Sequence, residues 1–239
     1  ATDSMKNFIL RESLTYDGAT MEGLLHHLAT GFTSTYEQLR SIRLSARELP
    51  FVPVTVPNGS EFGPSDRLYE ERRGDYGTAT VRVERVGDGI AVLDHACGRA
   101  DLHLMKITGS SFTSFVRDGY TTLPDRKDRP LFIYLDIGWR YGDPMDGFSD
   151  DVARFVPSEQ VRDVAATVFD AFVSESIQHL MHEMGKRLLD RFPQLIEVWF
   201  DGQNRTRDPV AVSEEDDRIR VYSDPFSAFG NLKLRMRRH

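Results

Sequence analysis

One cysteine, Cys97, is all that this chain of 239 residues contains, so neither an internal disulfide framework nor a thiolate metal cluster can form. That usage agrees with a reducing compartment, and Cys97 is expected to be inert. Long apolar runs are missing too. None approaches the roughly 20 residues that cross a bilayer, and no basic segment followed by an apolar stretch marks export. The expectation is a cytoplasmic chain with no membrane partner. Positive charge is in deficit: 30 Lys and Arg against 37 Asp and Glu leave a formal net charge of −7. A nucleic-acid partner needs a basic surface and is therefore not expected. Lys233, Arg235, Arg237 and Arg238 are a local exception. They alternate with Leu232, Leu234 and Met236, which reads as a half-buried strand with a solvated face. A glycine-rich phosphate loop, a serine nucleophile elbow and the sequence His-Glu-x-x-His are all absent.

What is present is 40% hydrophobic residues, enough for one large core or two domains of ordinary size. Helical periodicity appears in two adjacent pairs. Met5, Phe8 and Ile9 begin the first pair, and Met21, Leu24, Leu25, Leu28 and Phe32 follow the turn signal Asp17-Gly18. In the second pair, Val161, Val164, Val168 and Phe172 follow a cap at Ser158, and Ile177, Leu180, Met181, Met184 and Leu188 mark the next helix. These stripes are expected to be core. Strand-like alternation surrounds them at Ile42–Ala46, Ala79–Val83, Leu102–Leu104, Leu131–Ile137, Ile196–Phe200 and Leu232–Met236. The second half thus reads strand, strand, helix, helix, strand, strand, and the first half reads helix, helix, strand, strand. If the two are copies of one unit, the first is short of its two leading strands. Residues 50–76, rich in proline and ending in charges from Glu70 to Arg73, read as a long loop.

Candidate chemistry concentrates in SSFTSFVRDGYTTLPDRKDRP, residues 110–130, which lies between two strands and is far longer than a hairpin needs. Its hydroxyls, Phe112, Phe115, Arg117, Arg126 and Arg129 fit two readings. One is a surface excursion with salt bridges. The other is a site in which an aromatic ring stacks on a flat anionic heterocycle while a guanidinium binds its carbonyl oxygens. Composition does not choose between them. His179 and His182, three apart on a helix, lack a third ligand at a recognisable spacing and read as surface histidines, as do His26 and His27. Glu214–Asp217 reads as a solvated turn, so no metal site is expected.

Read together, ATDSMKN, FVRDGYTTLPDRKDR, SESIQHLMHEMG, QNRT and SDPFSAFGNLKLRMRR resemble the urate oxidase (uricase) family. The likeness runs the length of the chain and is thinnest over residues 50–76. It implies an α+β fold of tandem tunnelling-fold (T-fold) domains, each an antiparallel sheet with two helices on one face, divided here as 1–97 and 98–239. It also implies homotetramers with active sites at subunit interfaces, and a cofactor-independent oxidation in which urate, dioxygen and water give 5-hydroxyisourate and hydrogen peroxide.

Carried across by motif, the resemblance makes Phe112 the ring that stacks under the purine, and Arg129 and Gln178 the pair that grips its pyrimidine half. Leu123 would touch the ring edge, and the Ile177 N–H would donate to a urate oxygen. Asn204 would hold dioxygen or water above the ring. Thr2, through its hydroxyl, and Asp3, through its N–H, would reach the same site from a neighbouring subunit. No metal and no flavin is implied. The family's catalytic lysine lies on a first strand that is not among these 239 residues; two leading strands and their turn would take about 50 to 60 residues. The histidine that many members carry two residues after the asparagine is replaced here by Thr206. The alternative is a purine- or pterin-binding T-fold protein without oxidation activity. Pterin enzymes of this fold anchor their ligand with a glutamate, and Gln178 at that position favours a urate-like ligand.

Overall fold

The computed structural model describes residues 1–71, 74–171, 173–225, 227 and 229–238. Arg72, Arg73 and Phe172 lie outside the described residues. Two compact units are formed, Ala1–Asp101 with Tyr141–Ser158, and Leu102–Arg140 with Glu159–His239.

The first unit opens with helix α1 (Thr2–Glu12), a 3-10 turn (Ser13–Thr15) and α2 (Met21–Thr35). Thr20 caps α2, its hydroxyl accepting the Gly23 N–H at 3.1 Å and so satisfying one of the orphan donors of the first turn. Strands β1 (Ser41–Arg47) and β4 (Tyr76–Val86) pair antiparallel, and β4 pairs in turn with β5 (Gly89–Lys106). Leu25 and Ala29 of α2 close onto Ala79, Val81 and Val83 of β4, flanked by Ile42, Leu44 and Ala46 of β1. Burying each such valine or leucine contributes about 1.5–3 kcal/mol. A short helix, α3 (Pro144–Gly147), completes the unit.

Two expectations change here. Residues 50–76 are mostly a hairpin of β2 (Phe51–Asn58) and β3 (Glu61–Glu71). Pro53, Pro57 and Pro64 fall in a two-stranded sheet, in which both strands are edges and every second N–H faces away from the partner strand, the setting in which sheets accept proline. Gly59, at φ 66, occupies the first position of the connecting turn, where a positive φ favours glycine. The stripe on α1 is also not core: α1 has no buried residue, and Met5 and Ile9 are exposed. Only Phe8 is partly covered, with its ring 4.2 Å from that of Phe32.

The second unit takes β6 (Leu131–Tyr141) as far as Arg140, α4 (Ser158–Ala171) from Glu159, α5 (Ile177–Arg191), β7 (Leu195–Asn204) and β10 (Gly230–Arg237). Between β7 and β10 lies a small hairpin of β8 (Pro209–Val212) and β9 (Arg220–Tyr222). β7 and β10 are antiparallel, with Asn204 opposite Gly230 and Glu197 opposite Arg237. Ile133, Leu135 and Ile137 of β6, Val198 and Phe200 of β7, and Leu180, Met181, Met184 and Leu188 of α5 form the buried core. On α4 the buried stripe is Val161, Ala165 and Phe169, while Val164 and Val168 are half-buried. Ile196 is exposed, although strand alternation placed it inward. Gly202 matters for close approach: a Cβ there would stand 2.6 Å from Met181 Sδ, so its absence lets α5 lie tight against the end of β7. That contact sets the start of α5 beside Asn204, and both then line one cleft. Cys97, in the first unit, is buried, and its thiol is pushed well up, first by burial and then by Glu22.

Candidate functional site

The cleft has a volume of about 450 Å³ and lies in the second unit. Its floor comes from the long segment between β5 and β6, which two anchors hold in place. Asp128 accepts the Thr108 hydroxyl at 2.7 Å and the Gly109 N–H at 2.9 Å. The other anchor is Ser110, whose hydroxyl donates to the Ser174 carbonyl while the Ser111 N–H donates to that same oxygen at 3.2 Å. Ser110 and Ser174 are both buried, and Ser174 lies just ahead of α5.

Backbone pairing then fixes the two residues that matter most. The Phe112 N–H donates to Arg126 O at 2.7 Å and is answered by Arg126 N–H to Phe112 O at 3.1 Å, while the Arg129 N–H donates to Ser110 O at 3.0 Å. These bonds bring the Arg129 guanidinium over the Phe112 ring, 5.3 Å from its centroid. Phe112 is further steadied by Phe115, stacked at 4.6 Å. Burial, and then the nearby charge of Arg126, lower the Arg129 pKa from its ordinary value. A guanidinium remains charged nonetheless.

Ser176 caps α5 by accepting the His179 N–H at 3.2 Å, so the N–H groups of Ile177 and Gln178 in the first turn have no partner within the helix. Amides so placed favour negative charge. The end of β7 supplies Asn204, and Thr206 follows two residues on. The approach to β10 supplies Phe229 and Gly230. Two buried polar atoms in this lining have no partner among the described residues, Arg129 Nε and Asn204 Oδ1. Leaving such groups unpaired costs about 1–3 kcal/mol each, an expense that natural folds incur mainly where a ligand or water completes the bonds.

Five of the expected site residues, Phe112, Arg129, Ile177, Gln178 and Asn204, therefore line one cleft. Leu123 does not line it. Arg117 donates to the Leu123 carbonyl at 3.0 Å and pairs with Asp125 at 2.5 Å, which folds residues 117–125 into an exposed turn with the Leu123 side chain half in solvent. Thr2 and Asp3 open α1 of the first unit, both exposed, with the Asp3 carboxylate bonded to Lys6 and Asn7. They are not among the lining residues. Lining residues that the motifs did not single out are Ser176, Phe229, Gly230 and Leu232. Thr206 had a signal in the resemblance, because it stands two residues after Asn204, where many members carry a histidine. His179 and His182 stand on the exposed surface of α5 near Glu183, and Glu214–Asp217 forms a turn between β8 and β9.

The Asp128 anchor gives a pH signature. Its carboxyl is held below the usual carboxylate range chiefly by the Thr108 hydroxyl. Burial opposes this, and the Gly109 and Ser110 amides and the Arg220 charge reinforce it. The folded pKa lies below the unfolded value of about 4. The anchor thus stabilises above about pH 4 and is lost as pH falls through the lower, folded value. Asp128→Asn is expected to lower the urea midpoint at neutral pH, with the gap to the parent closing in acid. A gap that stays constant with pH would show that the carboxylate charge is not what holds the segment.

An antiparallel sheet backed by helices, ending in a cleft that offers a ring face, a half-buried guanidinium and helix N-terminal amides, places the chain among α+β proteins. Comparison with known proteins narrows this class. Residues 95–230 match the Uricase family model. The chain is 46% identical over 208 residues to a uricase of Haloferax volcanii, covering 86% of this chain and 68% of that protein. It is 40% identical over 230 residues to a uric acid degradation bifunctional protein of Bacillus subtilis, covering 96% of this chain and 47% of that one. Thus it spans about half the length of the Bacillus relative. A crystal structure of a uricase from Bacillus fastidious superposes with a TM-score of 0.94 at 43% identity, covering 99% of this chain and 74% of that one. The urate oxidase of Bacillus sp. TB-90 superposes with a TM-score of 0.94 at 37% identity, covering 100% and 79%. This chain belongs to the uricase family, and its fold is the tunnelling fold of that family.

Proposed function

We propose that the protein is a urate oxidase: urate, dioxygen and water give 5-hydroxyisourate and hydrogen peroxide. Dioxygen takes two electrons from urate and leaves as peroxide, while water supplies the hydroxyl at C5. The observation that carries this reading is the pair of unpartnered buried atoms, Arg129 Nε and Asn204 Oδ1, lining one cleft with the Phe112 ring in a chain of this family. Phe112 stacks under the purine, where a base on an aromatic ring is worth about 1–3 kcal/mol. Arg129 and Gln178 grip the pyrimidine edge, and the Ile177 N–H donates to a urate oxygen. Asn204 holds dioxygen or water above the ring. Leu123 reaches the ring edge if residues 117–125 close over a bound ligand.

The electron-rich urate anion is itself the reductant of dioxygen, so no metal or flavin is part of the proposal. The protein's task is proton removal, exclusion of bulk water and positioning. The assembly proposed is a homotetramer of the cytoplasm. The Thr2 hydroxyl and the Asp3 N–H enter the site from a neighbouring copy, which is consistent with their exposure on α1 and with the uncovered Met5 and Ile9 beside them. Oxygen-electrode and peroxide assays on the whole protein should show urate-dependent uptake of one dioxygen per peroxide formed. Tight urate binding with no peroxide would favour a non-oxidising purine-binding protein.

Sharing of sites between copies has its own test. Co-expressed Thr2→Ala and Arg129→Ala chains, each inactive alone, are expected to regenerate about a quarter of the sites, because each half has about an even chance of being unmutated in random assortment. Activity no greater than the sum of the two parents, in oligomers shown by mass spectrometry to be mixed, would place Thr2 outside the shared site.

A further inference from the structure

We propose that Arg205 is a positioning residue of the cleft, its guanidinium lying over the ring of Phe229 and fixing that ring as a wall of the urate site. The inference rests on the urate reading above. Phe229 lies ahead of β10, 40% exposed, yet it lines the cleft. An aromatic side chain so placed would ordinarily sample several rotamers, and ordering it at the moment of binding would weaken affinity. Arg205 removes that freedom. Its guanidinium carbon is 3.3 Å from the Phe229 ring centroid and 5.2 Å from that of Tyr134. Tyr134 is itself stacked on His103 at 3.8 Å, so the second ring is also held.

The cation is fixed at both ends. The Arg205 N–H donates to Phe132 O at 2.9 Å, and Nε and Nη2 both donate to Gln203 Oε1, at 3.0 and 2.6 Å. Nothing in this arrangement places the Arg205 head group itself in the cleft lining, whereas its neighbours Asn204 and Thr206 and its ring partner Phe229 are all there. Arg205 therefore acts through Phe229. A planar, delocalised cation is needed for this. An ammonium keeps the charge but neither covers a ring face nor forks onto one oxygen.

The test combines crystallography with titration by urate under exclusion of oxygen, so that binding is read without turnover. Arg205→Lys and Phe229→Ala are each expected to raise the urate Kd about tenfold. The double variant should be little worse than either single one, because both changes remove the same wall. Turnover at saturating urate should fall less than about threefold, since the loss is in binding. The Arg205→Lys crystal should show Phe229 turned away from the cleft. A Kd for Arg205→Lys equal to that of the parent, with Phe229 in place, would overturn the inference and leave Arg205 as a distant charge. Phe229 is a rim residue outside the core, so Phe229→Ala tests the wall even if the arginine variant fails to fold, and an unchanged Kd there overturns it as well. If the parent binds no urate while Phe229 still swings away in Arg205→Lys, the urate reading falls and the clamp on Phe229 stands.

Discussion

Arg129→Lys is expected to weaken oxygen-free urate binding about 30-fold or more, although the charge is conserved. Truncating one partner of a buried, hydrogen-bonded charge pair costs about 2–5 kcal/mol, and the lysine ammonium removes the planar fork and leaves the purine edge unmatched. Arg129 stands over the Phe112 ring with Nε buried and unpartnered, so its geometry is set before any ligand arrives. Arg129→Ala should lose still more, and neither variant should unfold, because the Arg129 backbone bond to Ser110 persists. Calorimetric titration checks this. Affinity within threefold of the parent would remove Arg129 from the grip.

Asn204→Ala should separate binding from chemistry. Its amide oxygen is buried without a partner at the end of β7, and the proposed partner is an oxygen species above the ring, not the purine edge. Removing a preorganised polar group of this kind lowers kcat about 10²–10³-fold. The expected outcome in steady-state kinetics is a fall in kcat of about 100-fold or more, with urate binding within about threefold of the parent. A large rise in KM with kcat intact would move Asn204 into substrate binding.

Where apolar residues follow the period of their element, the sequence was readable. Leu131 to Ile137 alternate on β6, and Leu180, Met181, Met184 and Leu188 repeat along α5, because each element buries one face in the core. Reading failed where polar residues are buried or where prolines interrupt. β5 begins at Gly89, well before the expected Leu102, and its period is hidden by buried His95 and Arg99. Arg99 is tolerated inside because Asp75 at 2.5 Å, Glu48 at 3.1 Å and the Ser158 hydroxyl surround it. In FVPVTVPN the prolines read as breakers, yet Val52, Val54 and Val56 keep a strand period on the half-buried face. Met5 and Ile9 were placed in the core because periodicity reports which face is apolar and not what covers it.

The candidate site was legible through resemblance more than through pattern. Phe112, Arg129, Gln178 and Asn204 lie far apart in sequence, and nothing in their spacing joins them. What joins them is the pairing of Phe112 with Arg126, the docking of Ser110 beside Ser174, and the close approach of α5 that Gly202 permits. Phe229 lies within SDPFSAFGNLKLRMRR, which carried part of the resemblance, but nothing in that stretch marked it as a residue of the site.

The most direct measurement is the crystal structure of the whole protein soaked with urate under exclusion of oxygen. The account predicts the purine lying flat on Phe112, its pyrimidine edge held by the Arg129 guanidinium and the Gln178 amide, with Asn204 above the ring. Urate bound elsewhere, or a cleft still without urate at concentrations that saturate the protein in solution, would contradict it.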